Sequence, residues 1–124
     1  FNELSRRVAH ACGETPDARA GMSHELVIKS VAKTEAADAH NWYEQQRRGL
    51  GGEFLAAMES VLGVIQRTPG RYAAVLGEVR KARLTRFPYA IYFIWRDDLI
   101  SVLAIYHAKR DPQRLVERLK GESR

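Results

Sequence analysis

VRKARLTRFPYAIYFIWRDDLISVLAIYHAKRD, residues Val79 to Asp111, decides the fold of this chain. Tyr89 to Arg96 and Leu99 to His107 are dense in aromatic and β-branched residues, which suit a pleated, half-buried surface. Asp97 and Asp98 between them make a two-residue turn, so the pair reads as a β-hairpin. Val79 to Phe87 is a third strand paired before it, leading through Pro88 into the next. Beyond the hairpin, Asp111 to Leu119 suits a short final helix, with Asp111 as N-cap and Pro112 in the first turn, where a missing N–H removes no hydrogen bond.

Upstream of Val79 the apolar period changes from two to about 3.6. Glu25 to Ser30, ELVIKS, is a short strand that opens the domain. Lys33 to Arg48 follows as a helix whose Ala32, Ala36, Ala39, Trp42 and Tyr43 share one face, with Trp42 and Tyr43 read as core and core edge. The GLGG of Gly49 to Gly52 ends it, because glycine accepts the positive φ of a C-cap. A second helix carries Phe54, Leu55, Met58, Val61, Leu62 and Ile65 at spacings of three and four, and Thr68, Pro69 and Gly70 stop it. A turn this short implies an antiparallel helical hairpin. The expected fold is α+β in the order β-α-α-β-β-β-α: a twisted, mainly antiparallel sheet with the helices packed on one face.

Composition narrows the function. The 124 residues, 45% of them hydrophobic, make one compact domain with a single core. The chain carries +5, which points to an anionic partner, nucleic acid or an acidic protein surface. Residues 1–21 balance Arg6, Arg7 and Arg19 against Glu3, Glu14 and Asp17, so the whole excess belongs to residues 22–124. Residues 1–21 read as an N-terminal extension or an upstream or cloning remnant, with Leu4, Val8 and Ala11 near helical spacing, and 22–124 as the functional domain. The lone Cys12 excludes an internal disulfide and leaves no cysteine pair for zinc, which fits a reducing, cytoplasmic setting. No apolar run approaches the roughly 20 residues of a membrane span. Neither a metal nor a cofactor is expected.

The candidate site lies on the third strand. Arg80, Lys81, Arg83 and Arg86 are four cations within seven residues that contain no acid. Alternation puts Lys81 and Arg83 on one face, and Arg80, Ala82, Leu84 and Arg86 on the other. The small apolar residues of the second set meet the helices, leaving Lys81 and Arg83 exposed and Arg80 and Arg86 near the strand ends. The basic strand is a surface for target or partner, or an ordinary solvated face. His107 is a general acid or base or a hydrogen-bonded strand-end residue. Arg110 and Asp111 touch a partner, or form a local ion pair and helix cap.

Four motifs in this order, NWYEQQRRGLGGEF (Asn41 to Phe54), the TPG helix stop, RFPYAIYF (Arg86 to Phe93) and AIYHAKRDP (Ala104 to Pro112), resemble the RelE/ParE superfamily of bacterial toxins over residues 25–119. The resemblance implies the toxin half of a type II toxin–antitoxin module, a plasmid stabilisation protein held by a cognate antitoxin in a hetero-oligomeric complex. Two activities occur in that superfamily. RelE-like members cut messenger RNA on the ribosome, a reaction that activates a 2′-hydroxyl, neutralises a phosphorane and protonates a leaving oxygen; Lys81, Arg83, Arg86 and His107 would be the set used here. ParE-like members inhibit DNA gyrase by binding, with Arg80, Lys81, Arg83, Arg86 and Arg110 as the recognition surface here.

Where RelE-like nucleases carry arginine, this chain has Ala90 and Ala108, and no tyrosine follows Tyr106. The FPY strand start, the Trp-Tyr-Glu helix and the H-x-x-R-D-P ending are closer to the ParE branch. Gyrase inhibition is therefore the expected activity, ribosome-dependent mRNA cleavage the alternative, and a degenerate member that only binds its antitoxin the third possibility.

Overall fold

A computed structural model describes residues 24–122. In chain order the elements are β1 (Glu25–Ile28), α1 (Ser30–Gln46), α2 (Leu50–Arg67), a 3-10 turn (Pro69–Arg71), β2 (Ala74–Leu76), β3 (Val79–Arg83), β4 (Tyr89–Arg96), β5 (Leu99–His107) and α3 (Pro112–Glu122). The strands form one five-stranded sheet in the order β1-β5-β4-β3-β2. β1 runs parallel to β5 and the remaining pairs are antiparallel. The α+β architecture is the expected one, with an added edge strand. The expected division of the chain at residue 22 lies outside the described residues.

The β4–β5 turn works because Asp97 takes a left-handed φ of 54°, a conformation that a short polar side chain tolerates. At Tyr92/Phe93 the register slips: Tyr92 pairs with Ala104 and Phe93 with Val102, so Leu103 is bulged out and both Leu103 and Ala104 face the same way.

The edge strand β2 was not anticipated as a separate element. Only three residues long, it returns to β3 through a turn in which Gly77 holds φ 56°. The third strand is shorter than expected. β3 ends at Arg83, and in the following loop Leu84 and Phe87, three residues apart, both turn into the core, a spacing strand alternation does not allow. Pro88 has no N–H with which to continue a ladder.

Two cores, one on each face of the sheet, replace the single covered face expected. On one face α1 and α2 lie over Ile91, Phe93, Ile100, Val102 and Ile105. The α1 contact row is Ala32, Ala36, Ala39 and Tyr43, small residues that let the helix approach closely; α2 contributes Phe54, Met58, Leu62 and Ile65. The Phe54 ring packs against Tyr43, Phe87 and Tyr89 with centroids 5.2–5.5 Å away, and burial of a side chain this size contributes about 2–3 kcal/mol. On the opposite face Leu115 and Leu119 of α3 pack on Val79, Ile94, Leu103, Ala104 and Tyr106. The bulge supplies this second core with two adjacent apolar residues.

Within the helical hairpin the glycines act differently from expectation. α1 stops at Gln46, Gly49 alone takes the left-handed φ (88°), and Gly51 and Gly52 already belong to the first turn of α2. The Glu44 carboxylate reaches across to accept from the N–H groups of Gly49 (2.9 Å) and Gly51 (3.0 Å), capping α2 from outside. Trp42 departs further. It lies about 100° around the helix from Tyr43 and, instead of filling the core, is 56% exposed.

Candidate functional site

The pairing of β3 with β4 sets the site. Lys81 lies opposite Tyr92 and Arg83 opposite Ala90, on the face that carries α3. Since α3 covers only part of that face, a cleft of about 660 Å³ remains between β3, the 84–88 loop and the start of α3. Ala90 sits in register between Arg83 and Tyr106 and adds only a methyl group to the floor. A residue this small leaves the cleft open at its floor.

Lys81, Arg83, Arg86, His107 and Arg110 all line this cleft, and no carboxylate does. The Lys81 ammonium stands 5.8 Å from the centroid of Tyr92, and the Arg110 guanidinium 5.7 Å from that of Tyr106. Among the described residues none of Lys81, Arg83 and Arg110 is ion-paired to a carboxylate. Burial pushes the Tyr92 phenol above its ordinary pKa, with the Arg83 charge opposing, so the hydroxyl stays protonated at neutral pH and can donate.

Arg80 is the exception among the predicted residues. It points to the helical-hairpin face, where its guanidinium stands over Trp95 at 5.6 Å and donates to the Tyr72 carbonyl. Arg86 lines the cleft but also donates to Glu53 Oε1 at 2.7 Å, and Arg47 holds the other oxygen at 3.0 Å. These two arginines, Arg86 first, hold the Glu53 carboxyl below its usual range.

At the far end of β5 the chain turns so that Arg110 N donates to His107 O (3.1 Å) and the Tyr106 hydroxyl to Asp111 O (2.8 Å). Asp111 Oδ1 accepts from Gln113 N at 2.9 Å, the N-cap expected for α3, with Pro112 as its first residue. His107 Nδ1 accepts the Lys109 N–H (2.9 Å) and its ring stands edge-on to Tyr89 at 4.9 Å. The neutral ring therefore carries its proton on Nε2.

Beside the cleft, and sharing Tyr89, His107 and Arg110 with it, lies a smaller depression of about 280 Å³ lined also by Trp42, Tyr43 and Lys109. Read from the sequence, Trp42 belongs to the core, and about half of Tyr89, Tyr92, Phe93 and Trp95 belong to the open face, without a choice among them. Alternation from Ile91 and Phe93 would have found Tyr92; the helical phase of Trp42 against Tyr43 was the available signal for the other. Among the described residues there is no cluster of His, Cys, Asp and Glu that could hold a metal, and no helix long and apolar enough to cross a membrane.

No protein-family model matches the sequence, and no curated protein is significantly similar to it. Among solved structures, a chain of the chromosomal ParDE TA (toxin–antitoxin) system from P. aeruginosa superposes with a TM-score of 0.64 at 15% identity, over 71% of this chain and 99% of that one. The chain has the RelE/ParE toxin fold. Within the RelE/ParE fold, the acid-free cleft is formed by β3, β4, the end of β5 and the start of α3.

Proposed function

We propose that the protein is the toxin half of a type II toxin–antitoxin module, that it arrests growth by binding and inhibiting DNA gyrase, and that a cognate antitoxin neutralises it in a hetero-oligomeric complex. The fold supports the first part, being shared with a chain of a solved ParDE toxin–antitoxin system. One observation carries the choice of binding over catalysis. The cleft has cations for an anionic partner, while Ala90 and Ala108, where the resemblance to RelE-like nucleases would place arginine, add only methyl groups to its lining. Purified toxin should inhibit gyrase supercoiling and trap cleaved plasmid. Full supercoiling at concentrations that stop growth would refute the proposal.

A second reading, a ribosome-dependent mRNA endoribonuclease, is favoured by Lys81 and Arg83 beside the protonated Tyr92 phenol, with Arg110 on the same cleft. Primer extension on messages from expressing cells separates the two: codon-positioned cuts lost in Arg83→Ala support the enzyme, and intact messages remove it.

A further inference from the structure

The two edges of the sheet are unlike. β2 is three residues long and its register shifts between Ala74 and Leu76, features that blunt an edge. β1 is regular, has no proline or bulge, and among the described residues pairs with β5 alone. Glu25 N and Lys29 N donate inward to the Asp98 and Val102 carbonyls, so by alternation the backbone N–H and C=O groups of Leu26 and Ile28 point away from the sheet. The Leu26 and Ile28 side chains are buried on the helical-hairpin face. Glu25, Val27 and Lys29 are exposed, and Lys29 continues the extended backbone beyond the strand. On the same face as Val27, Leu99 stands opposite Glu25 in the register and is 40% exposed. Among the described residues neither Glu25 nor Lys29 is ion-paired.

We propose that β1 docks a second copy of this chain by antiparallel pairing about a twofold axis at Val27. One register satisfies the outward groups of both Leu26 and Ile28 within β1: Leu26 pairs with Ile28 of the second copy, Ile28 with its Leu26, and each pair exchanges two hydrogen bonds. That register places Val27 against Val27 of the second copy at the axis, and Glu25 against its Lys29 on either side. The order Glu-Leu-Val-Ile-Lys is thus complementary to itself in charge as well as in hydrogen bonding. A strand of another protein would also suit an open edge. The second copy is favoured because the charges reverse about the same residue on which the backbone register centres. The two five-stranded sheets become one, with the same faces on the same side, so that both basic clefts open in one direction. The pairing uses none of the cleft residues and does not rest on the proposed function.

The test is sedimentation velocity of the full chain from about 1 μM to about 1 mM, with amide hydrogen exchange at the two ends of that range. The dimer fraction should grow with concentration, and the Leu26 and Ile28 amides should exchange more slowly as it does. Glu25→Lys and Lys29→Glu should each raise the dissociation constant about 10- to 100-fold, because each sets like charges opposite one another on both sides of the axis. Mixing the two variants, or combining both substitutions in one chain, restores opposite charges in both pairs and should restore the dimer. These side chains are exposed, and a thermal melt of each variant verifies folding. A chain monomeric throughout, which would leave the edge to a strand of another protein, overturns the proposal; so does a dimer indifferent to both single variants, or one that does not recover on mixing. Leu26 and Ile28 amides protected equally at all concentrations would mean an edge covered within one chain, and would overturn it as well. The exchange measurement needs only the wild type, so it decides the matter even where a variant fails to fold. Dimerisation is read on purified protein and growth arrest in cells, which keeps a failed pairing distinguishable from a failed toxin.

Discussion

Glu35 on α1 and Arg118 on α3 meet around the edge of the sheet, although their helices lie on opposite faces. The Glu35 carboxylate accepts from both terminal nitrogens of Arg118 at 3.0 Å and from the Ile105 N–H at 2.9 Å, while Arg118 donates to the Leu103 carbonyl at 2.9 Å. β1 pairs with β5 only as far as Val102, so Leu103 and Ile105 lie on a stretch of edge with no strand beside it. The ion pair does there what a neighbouring strand would do, and it clamps α3 to the sheet beside the cleft.

Removing either partner leaves the other charge and a backbone group unsatisfied in a part-buried site. Glu35→Ala should cost about 2–3 kcal/mol, and Arg118→Ala rather less because its side chain is 31% exposed. In a double-mutant cycle followed by urea denaturation, the two losses should be non-additive by about 1–2 kcal/mol. Strict additivity would show that the pair is not a unit.

A backbone contact makes a sharper test of the helical hairpin. A Cβ built on Gly51 would come within 2.6 Å of the His40 carbonyl oxygen, whereas one on Gly52 meets nothing within 4 Å. Gly51→Ala should therefore destabilise by about 1–3 kcal/mol through forced separation of the helices. Gly52→Ala should be neutral or slightly stabilising, since alanine is the better helix former. Equal melting temperatures for the two variants would remove the close approach as the reason for glycine.

Element identities were legible where one physical signal dominated. The hairpin around Asp97 and Asp98, the helices on either side of Gly49 and the Asp111 cap were read correctly because alternation, helical periodicity and capping chemistry are local. Non-local effects escaped. Nothing near Leu103 announces a bulge, because the slip arises from pairing with Tyr92 and Phe93, and without it Ala104 and Tyr106 would be assigned to the wrong face. Arg80 and Lys81, by contrast, were already separated onto opposite faces by alternation, and the β3–β4 pairing agrees. The cleft itself depends on where α3 lands, which the sequence does not state.

Acid should destabilise the fold through its capped and paired carboxylates. The Glu44 carboxyl is held below its ordinary range by the Gly49 and Gly51 N–H groups, Glu53 by Arg86 and Arg47, and Glu78 by Arg96. Because the folded pKa lies below the unfolded one, each contribution is complete above the ordinary glutamate value of about 4.3 and is lost as the pH falls through the folded pKa. The urea midpoint should thus drop between about pH 5 and pH 3, and less steeply in Glu44→Gln. NMR titration of Glu44 at or above its unfolded value would contradict the assignment.

Arg80 and the Lys81–Arg83 pair should separate stability from recognition. Arg80 stacks on Trp95 and satisfies the Tyr72 carbonyl on the helical-hairpin face, so Arg80→Ala should lower stability by about 1 kcal/mol. Its effect on target inhibition should go no further than that loss of folded protein. Lys81 and Arg83 have no carboxylate partner among the described residues and stand on the cleft wall, so their alanine variants should melt within about 0.5 kcal/mol of wild type. Under the proposed function the double variant should nevertheless lose growth arrest, because it removes two cations that no carboxylate on the cleft lining neutralises. Parallel thermal melts and growth curves decide the matter: arrest undiminished in Lys81→Ala/Arg83→Ala, or abolished in a folded Arg80→Ala, would move the functional surface to the opposite face of the sheet.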